Sequence, residues 1–167
     1  MAGGGAKTIA FGLLVLNLVL YIIVSIIAGW AINYDIDNTL LSVTFPVYIF
    51  PMYNPIGNMA TGFFLIFSLI AGLVGIATSI AGVGNIQKGN VPNLHSAGTY
   101  SVITWGLTLL AMGLACKEIN IGIQDSILRT LEVLVIILSA TQLLCMGAIN
   151  AGVNEAASHD EYMGGGF

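Results

Sequence analysis

Residues 8–32 read TIAFGLLVLNLVLYIIVSIIAGWAI, an apolar run without a charged side chain that lies between Lys7 and Asp35. A helix that crosses a bilayer needs roughly 20 mostly apolar residues, and a charge near its centre costs a few kcal/mol. A cleaved secretory signal peptide is the alternative, but its apolar core is only about 7 to 15 residues long. We therefore expect a retained transmembrane helix here.

Three further stretches of the same kind follow along the chain. Lys88 is the only charge between the second and third stretches, and the fourth keeps Arg129 and Glu132 in its first turns. The sequence therefore predicts an all-α membrane protein, a four-transmembrane-helix bundle in one domain over residues 1–152, with a flexible cytosolic tail over 153–167. The predicted helices span about 8–32, 59–83, 94–116 and 125–151.

The composition excludes two other classes of protein. Hydrophobic residues make up 57% of the 167 residues and charged residues 7%, whereas an average soluble domain carries about 25% charge. A water-soluble globule is therefore not expected. Four Lys and Arg against eight Asp and Glu give a net charge of -4, without a basic cluster to neutralise phosphates. Nucleic acid is therefore not an expected partner.

The placement of the few cations suggests an orientation in the membrane. Lys7 and Lys88 fall on one predicted side, whereas Lys117 and Arg129 fall on the other, each close to acidic residues. Cytoplasmic loops carry an excess of Lys and Arg, so this distribution favours both termini in the cytosol. The side that carries Lys117 would then face the exterior.

Small residues mark where the helices can approach one another. In lipid, helices associate through close backbone contact and interhelical hydrogen bonds, because apolar side chains gain nothing by leaving apolar lipid. These ridges serve packing within the chain or self-association, and we favour packing. They are Ala71, Gly75 and Ser79, Thr78 with Gly82, Ala111 with Ala115, Gly147 with Ala151, and Ala148 with Gly152.

Five polar residues fall near the middle of the predicted spans. A polar side chain exposed to lipid is costly, so we expect all five to face the bundle interior. There they line a translocation path or form hydrogen bonds between helices, and the second role is the commoner one. They are Asn17, Ser68, Thr104, Thr108 and Gln142.

The segment 117–132 concentrates the charges at one end of the predicted bundle. Asp125 is a good N-cap residue, and it shares a helix face with Arg129 and Glu132. A structural charge network at the membrane surface is the favoured interpretation. Alternatively, Lys117 and Arg129 bind the carboxylate of an anionic ligand, and the candidate ligand-binding residues are then Lys117, Glu118, Arg129 and Glu132.

The first predicted loop, residues 33–58, is rich in proline and aromatic residues. Proline interrupts helices and sheets, which indicates an irregular segment over one end of the bundle. Its aromatic side chains form either a belt at the headgroup level or a lid over the site where a hydrophobic ligand enters. The candidate lid residues are Tyr48, Phe50 and Tyr53.

The sequence carries no sign of enzymatic chemistry. It has neither a nucleophile with its base, nor a metal-ligand cluster, nor a phosphate-binding loop, so we expect neither catalysis nor a cofactor. Cys116 and Cys145 fall at depths too different for a disulfide and are predicted to be free thiols.

Four strings of the sequence resemble the plant family of abscisic-acid-induced wheat plasma membrane polypeptides (AWPM-19-like membrane proteins). The resemblance runs from the first span to about Gly152, and the third string is the most specific. The strings are NMATGFF at 58–64, PNLHSA at 92–97, LLAMGLACKEINIG at 109–122 and LRTLEVL at 128–134.

This resemblance implies a four-span plasma membrane protein of plants that is produced under abscisic acid or stress, and it implies a link to abscisic acid uptake. An importer of this small terpenoid carboxylic acid needs an apolar pocket with a cationic or hydrogen-bonding end. Lys117, Arg129 and the aromatic loop are plausible parts of that pocket. The alternative is a structural or scaffold protein that acts through partner proteins or stabilises the membrane. The expected partners are the lipid bilayer, abscisic acid, and a second copy or another membrane protein.

Overall fold

The computed structural model describes residues 5–42, 59–122 and 126–164, and these residues form helices without a strand among them. Each helix contains a segment that is long and apolar enough to cross a membrane. The prediction of an all-α, four-helix membrane protein is therefore confirmed. The helices are α1 (Gly5–Ser42), α2 (Met59–Lys88), α3 (Val91–Ile121) and α4 (Ser126–Gly164).

The helices form a closed antiparallel bundle. Each helix packs against the next one in the chain, and α4 packs against α1, which closes the ring. We call one end the Glu118 end, where α1 finishes, α2 begins, α3 finishes and α4 begins. The opposite end, where α1 begins and α2 connects to α3, is the Lys7 end.

Two helices continue beyond the predicted spans. α1 runs past Ile32 to Ser42, where the Nδ2 of Asn33 donates a hydrogen bond to the Oδ2 of Asp37 at 3.2 Å. α4 runs to Gly164, so most of the predicted flexible tail, 153–167, is helical. Residues 153–163 contain neither Gly nor Pro, so nothing in the local sequence stops the helix. Hydropathy locates the apolar part of a helix, not its end.

The chain turns sharply between α2 and α3 at Gly89 and Asn90. Gly89 has a φ of 70°, in the left-handed region that favours glycine, and its N–H donates to the carbonyl of Asn85 at 3.3 Å. Pro92 lies in the first turn of α3, where its missing N–H does no harm. This short connection holds α2 and α3 side by side.

Glycines on α2 allow α1 to approach closely. A Cβ at Gly75 would collide with the ring of Tyr21, and one at Gly82 would lie 3.2 Å from the side chain of Leu14. Both glycines belong to the small-residue ridges found in the sequence. Gly147 and Ala151 on α4, in contrast, are exposed on the outside of the bundle.

The core consists of two apolar clusters at different depths. The larger one occupies the half nearer the Glu118 end and includes Tyr21, Phe64 and Leu131. The smaller one occupies the half nearer the Lys7 end and includes Leu14 and Ile149. Buried polar side chains lie at the level between them.

We expect the substitution Gly75→Ala to destabilise the protein, because the added methyl group displaces the ring of Tyr21. Overpacking of this kind typically costs about 1–3 kcal/mol. Thermal unfolding of the purified protein in detergent measures the effect. Gly84→Ala is the matched control on the same helix, since no described residue lies within 4 Å of a Cβ built there. Equal melting temperatures for the two variants would contradict close packing at Gly75.

Candidate functional site

A polar layer crosses the middle of the bundle. The Nδ2 of Asn17 on α1 donates to the Oε1 of Gln142 on α4 at 2.8 Å. The Nε2 of Gln142 donates in turn to the Oγ of Ser101 on α3 at 3.0 Å. All three side chains are buried, so these bonds form away from water and lipid and connect three helices.

Two further bonds extend this polar layer along α3. The hydroxyl of Tyr21 lies 2.9 Å from the Oγ1 of Thr108, and the hydroxyl of Thr78 on α2 lies 2.7 Å from the Oγ1 of Thr104. Thr108 donates its single hydroxyl proton to the carbonyl of Thr104 at 2.8 Å. Tyr21 is therefore the donor to Thr108. With Thr78, the layer includes a side chain from every helix.

The layer contains four of the five polar residues predicted at mid-membrane. Asn17, Gln142, Thr104 and Thr108 belong to it, whereas Ser68 is buried seven residues along α2 from Thr61 and takes part in none of these bonds. The sequence analysis missed Tyr21 and Ser101 and placed Thr78 only in a small-residue ridge. Helical spacing was the available signal for the first two, since Tyr21 lies four residues after Asn17 and Ser101 lies three before Thr104.

A buried acid occupies the Glu118 end of the bundle. The side chain of Glu118 is only 1% exposed, and its Oε2 accepts a hydrogen bond from the Oγ1 of Thr61 at 2.8 Å. Its other carboxylate oxygen, Oε1, has no hydrogen-bond partner among the described residues. The turn at Gly122, whose N–H donates to the carbonyl of Glu118 at 3.2 Å, ends α3 one turn later.

Glu132 on α4 is the second buried glutamate near this end. It is 5% exposed and lies in the second turn of α4. Asp35 on α1 is buried as well, at 7% exposed. Three helices thus contribute buried carboxyl groups to the same half of the bundle.

The two cations predicted to bind an anionic ligand lie outside this buried region. Lys117 and Arg129 are both exposed, and among the described residues no ion pair joins either of them to Glu118 or Glu132. Adjacent residues on a helix point about 100° apart, so Lys117 is turned away from the bundle interior when Glu118 faces it. Asp125, the predicted N-cap, lies outside the described residues.

The aromatic lid residues Tyr48, Phe50 and Tyr53 also lie outside the described residues. On α1, Trp30 and Tyr34 stack on one another, with ring centroids 5.4 Å apart, and both rings are about half exposed. Amphipathic rings of this kind are typical of the headgroup level of a bilayer. They give the Glu118 end an aromatic surface that the sequence analysis did not single out.

The Lys7 end is held by a basic side chain. The Nζ of Lys7 lies 3.5 Å from the carbonyl oxygen of Gly89, at the C-terminal end of α2, where a cation interacts favourably with the helix dipole. A shallow cleft lies beside Lys7, Leu94 and Gly152, and it has no room for even a water molecule. Ligand pockets usually measure about 300–1,000 Å³, so this cleft cannot enclose a drug-sized molecule.

A comparison with known protein families matches residues 15–152 to the AWPM-19-like family. The chain belongs to this family. The AWPM-19-like match includes the polar layer and both buried glutamates, and it leaves out Lys7. The chain is also 40% identical over 168 residues to the membrane protein PM19L of Oryza sativa subsp. japonica, covering 98% of this chain and 91% of that protein. No solved structure matches.

These comparisons and the fold agree on the broad class of the molecule. The AWPM-19-like chain is a plant membrane protein with four apolar helices. Its most unusual chemistry lies in the interior, where polar side chains from all four helices meet and where two glutamates are buried.

We expect Asn17→Ala and Gln142→Ala each to lower the stability of this AWPM-19-like protein, because each removes a hydrogen bond between α1 and α4. Interhelical hydrogen bonds in membranes contribute about 0.6 kcal/mol on average and up to about 1.7 kcal/mol. The double variant should cost less than the sum of the single variants, as measured by reversible unfolding in detergent.

Thr141→Ala is the matched control for this cycle. Among the described residues, the Oγ1 of Thr141 bonds only within its own helix, to the carbonyl of Leu138 at 3.1 Å. It should leave the stability nearly unchanged. Strictly additive effects of Asn17→Ala and Gln142→Ala would show that the two side chains do not interact.

Proposed function

We propose that this AWPM-19-like protein is a plasma membrane protein of the plant abscisic acid and stress response, and that it facilitates the uptake of abscisic acid into cells. The observation that supports this proposal best is a set of buried polar atoms without a hydrogen-bond partner among the described residues. They lie at three depths of the interior and include the Oε1 of Glu118, the Oγ of Ser68 and the Oδ1 of Asn17.

Unpaired buried polar atoms lower the stability of a bundle, and a purely structural bundle gains nothing from them. Leaving a buried acceptor unpaired costs about 1–3 kcal/mol, and apolar side chains of similar size would avoid that cost. Ser68 lies seven residues along α2 from Thr61, the partner of Glu118, and ten residues from Thr78 in the polar layer. At about 1.5 Å per residue, the three polar levels are spaced about 10 and 15 Å apart.

The spacing suits a molecule that exchanges one polar contact for another as it crosses the apolar interior. Abscisic acid is a small terpenoid carboxylic acid, so its ring system suits the apolar clusters and its protonated acid group donates hydrogen bonds. Each unpaired oxygen accepts such a bond. The polar levels thus lower the free energy of a polar group inside the bundle at successive depths.

The exposed cations at the Glu118 end attract the anionic form of the same ligand. Arg129 offers a planar fork that matches a carboxylate, and Lys117 offers a point charge beside it. Since both side chains are exposed, they act before the ligand enters the interior. The aromatic residues of the first loop are candidates for holding the apolar part of the ligand there.

Passage through the interior requires that helices move apart. The described helices pack closely, and the cleft beside Lys7 is smaller than an ordinary ligand pocket. We propose that the ligand moves along a seam between helices that separate transiently. Neither catalysis nor a cofactor is needed for such movement down a concentration gradient.

A non-transporting scaffold is the second candidate function. Gly147 and Ala151 on α4 and Gly106 and Gly113 on α3 are exposed on the outside of the bundle. Small residues on a lipid-facing surface allow the backbone of another membrane helix to approach closely. A partner protein or a second copy of this chain would bind there.

Liposomes that contain the purified protein should take up abscisic acid faster than empty vesicles, and the rate should saturate with concentration. Replacing Lys117 or Arg129 with alanine should lower uptake about three- to tenfold at subsaturating concentration, because the loss of a charge-assisted contact is worth about 1 kcal/mol at an exposed site. Uptake of labelled abscisic acid, measured at constant pH on both sides, tests this expectation.

Lys88→Ala is the matched control, since Lys88 is an exposed cation at the opposite end of the bundle. It should leave the uptake rate unchanged. Flux equal to that of empty vesicles would reject transport, and a membrane partner that is lost on Gly147→Leu would then support the scaffold.

A further inference from the structure

The side chain of Tyr21 crosses the interior of the bundle. Each helix packs against its two neighbours in the ring of four, so α1 and α3 lie diagonally opposite one another. Tyr21 belongs to α1, and its hydroxyl lies 2.9 Å from the Oγ1 of Thr108 on α3. A side chain that bonds the diagonally opposite helix has to pass through the middle of the bundle, so the aromatic ring lies there.

The same ring fills the space beside α2. A Cβ at Gly75 would collide with the ring of Tyr21, so the ring lies directly against the backbone of α2. Tyr21 is 0% exposed, and it is one of the largest side chains that the described residues bury completely. The ring therefore occupies the space between α1, α2 and α3 at this depth.

The remaining space, beside α4, is closed one helical turn nearer the Lys7 end. Asn17 lies four residues before Tyr21 on α1, and it bonds Gln142 on α4. Gln142 bonds Ser101 on α3 in turn. These contacts lie where the larger apolar cluster ends and the smaller one begins. A molecule that moves between the two halves must displace the ring of Tyr21 or break the hydrogen bonds of Gln142.

The helices beside the ring carry features that let them move. The Oγ of Ser25 donates to the carbonyl of Tyr21 at 2.8 Å, and a hydroxyl that bonds one turn back in this way often bends a helix. On the facing side of α2, Gly72 and Gly75 present no side chain to α1. Glycine also weakens the interior of a helix. The contact between α1 and α2 is therefore least rigid at the level of the ring.

We propose that Tyr21 is a gate between the two halves of the bundle interior, held closed by the hydrogen bond between its hydroxyl and Thr108. When this bond breaks and the ring rotates away, the barrier between the two apolar clusters is removed on the side of α2. A phenylalanine would fill the same space, so packing alone does not need the hydroxyl. The gate rests on the proposed function only in that abscisic acid is the molecule that passes.

A thiol of the chain reports whether this gate is open. Cys145 is 0% exposed and belongs to the smaller apolar cluster, on the Lys7 side of Tyr21. The variant Cys116→Ser removes the exposed thiol, and we call it the reporter chain. Methyl methanethiosulfonate, a small uncharged thiol reagent, should modify the reporter chain slowly in lipid nanodiscs. Adding Tyr21→Ala should raise the rate, followed by mass spectrometry, about tenfold, which corresponds to a shift of about 1.4 kcal/mol in the opening equilibrium.

Phe64→Ala in the reporter chain is the matched control. Phe64 is an equally buried ring of the larger cluster, eleven residues before Gly75 on α2 and thus on the Glu118 side of Tyr21. Its loss loosens the core without removing the ring of Tyr21. The rate at Cys145 should therefore stay close to that of the reporter chain. Melting temperatures show that the compared variants are folded.

Tyr21→Phe tests the hydrogen bond separately, because it keeps the ring. The rate at Cys145 should rise about threefold, the factor that an interhelical hydrogen bond of average strength in a membrane contributes. Thr108→Val removes the same bond from the side of α3 and should have the same effect. The double variant Tyr21→Phe/Thr108→Val should show no further increase. If Tyr21→Ala does not fold, these variants carry the test.

Three results would overturn the proposal: a folded Tyr21→Ala in which Cys145 stays as unreactive as in the reporter chain, a Phe64→Ala that exposes Cys145 equally, or an unchanged rate in Tyr21→Phe. The labelling does not depend on abscisic acid, so the two proposals fail separately. A gate that opens in Tyr21→Ala while wild-type liposomes show no uptake rejects the proposed function alone. Uptake with Cys145 protected in every variant rejects the gate alone.

Discussion

The fold depends on the requirement that polar groups inside a membrane find partners within the protein, since lipid offers none. Asn17, Gln142 and Ser101 meet that requirement together, and they connect α1, α4 and α3 at the level where the two apolar clusters separate. Apolar side chains alone would not fix which faces of the helices meet, because a leucine side chain is surrounded by equally apolar groups in lipid and in the protein. The hydrogen bonds therefore specify the rotation of each helix, and close packing follows from that choice. Gly75 then permits Tyr21 to lie flat against α2 while its hydroxyl reaches Thr108.

The same requirement makes the Glu118 end different from the middle. In the polar layer most donors and acceptors pair with one another, so the layer holds helices together. At the Glu118 end a carboxyl group receives one hydrogen bond, from Thr61, and retains an oxygen without a partner among the described residues. A second buried acid, Glu132, lies in the second turn of α4. This end therefore keeps a buried carboxylate oxygen that a hydrogen-bond donor can still bind.

The sequence predicted the fold well because hydropathy and the cost of buried polar groups act over whole helices. Four uncharged runs predicted four helices, and the inward-facing polar residues followed from their depth alone. The helix ends were predicted less well, because α1 and α4 continue into polar sequence where hydropathy carries no signal. The residues of the candidate site were harder to predict from the sequence than the helix ends. Lys117 and Glu118 are neighbours in the sequence, and only the rotation of α3 decides that the acid is buried and the cation exposed.

The exposed cations and the buried acids at this end act in opposite ways on a weak acid that crosses the bundle. Exposed Lys117 and Arg129 favour the carboxylate form at the surface, whereas the buried Glu118 and Glu132 repel it just inside. An acid drawn to the surface as an anion would therefore have to gain a proton before it entered the interior, where its O–H group donates a bond that a carboxylate cannot. In the proposed uptake, the surface cations concentrate the ligand while the buried acids select its neutral form, so the two sets of charges have complementary roles.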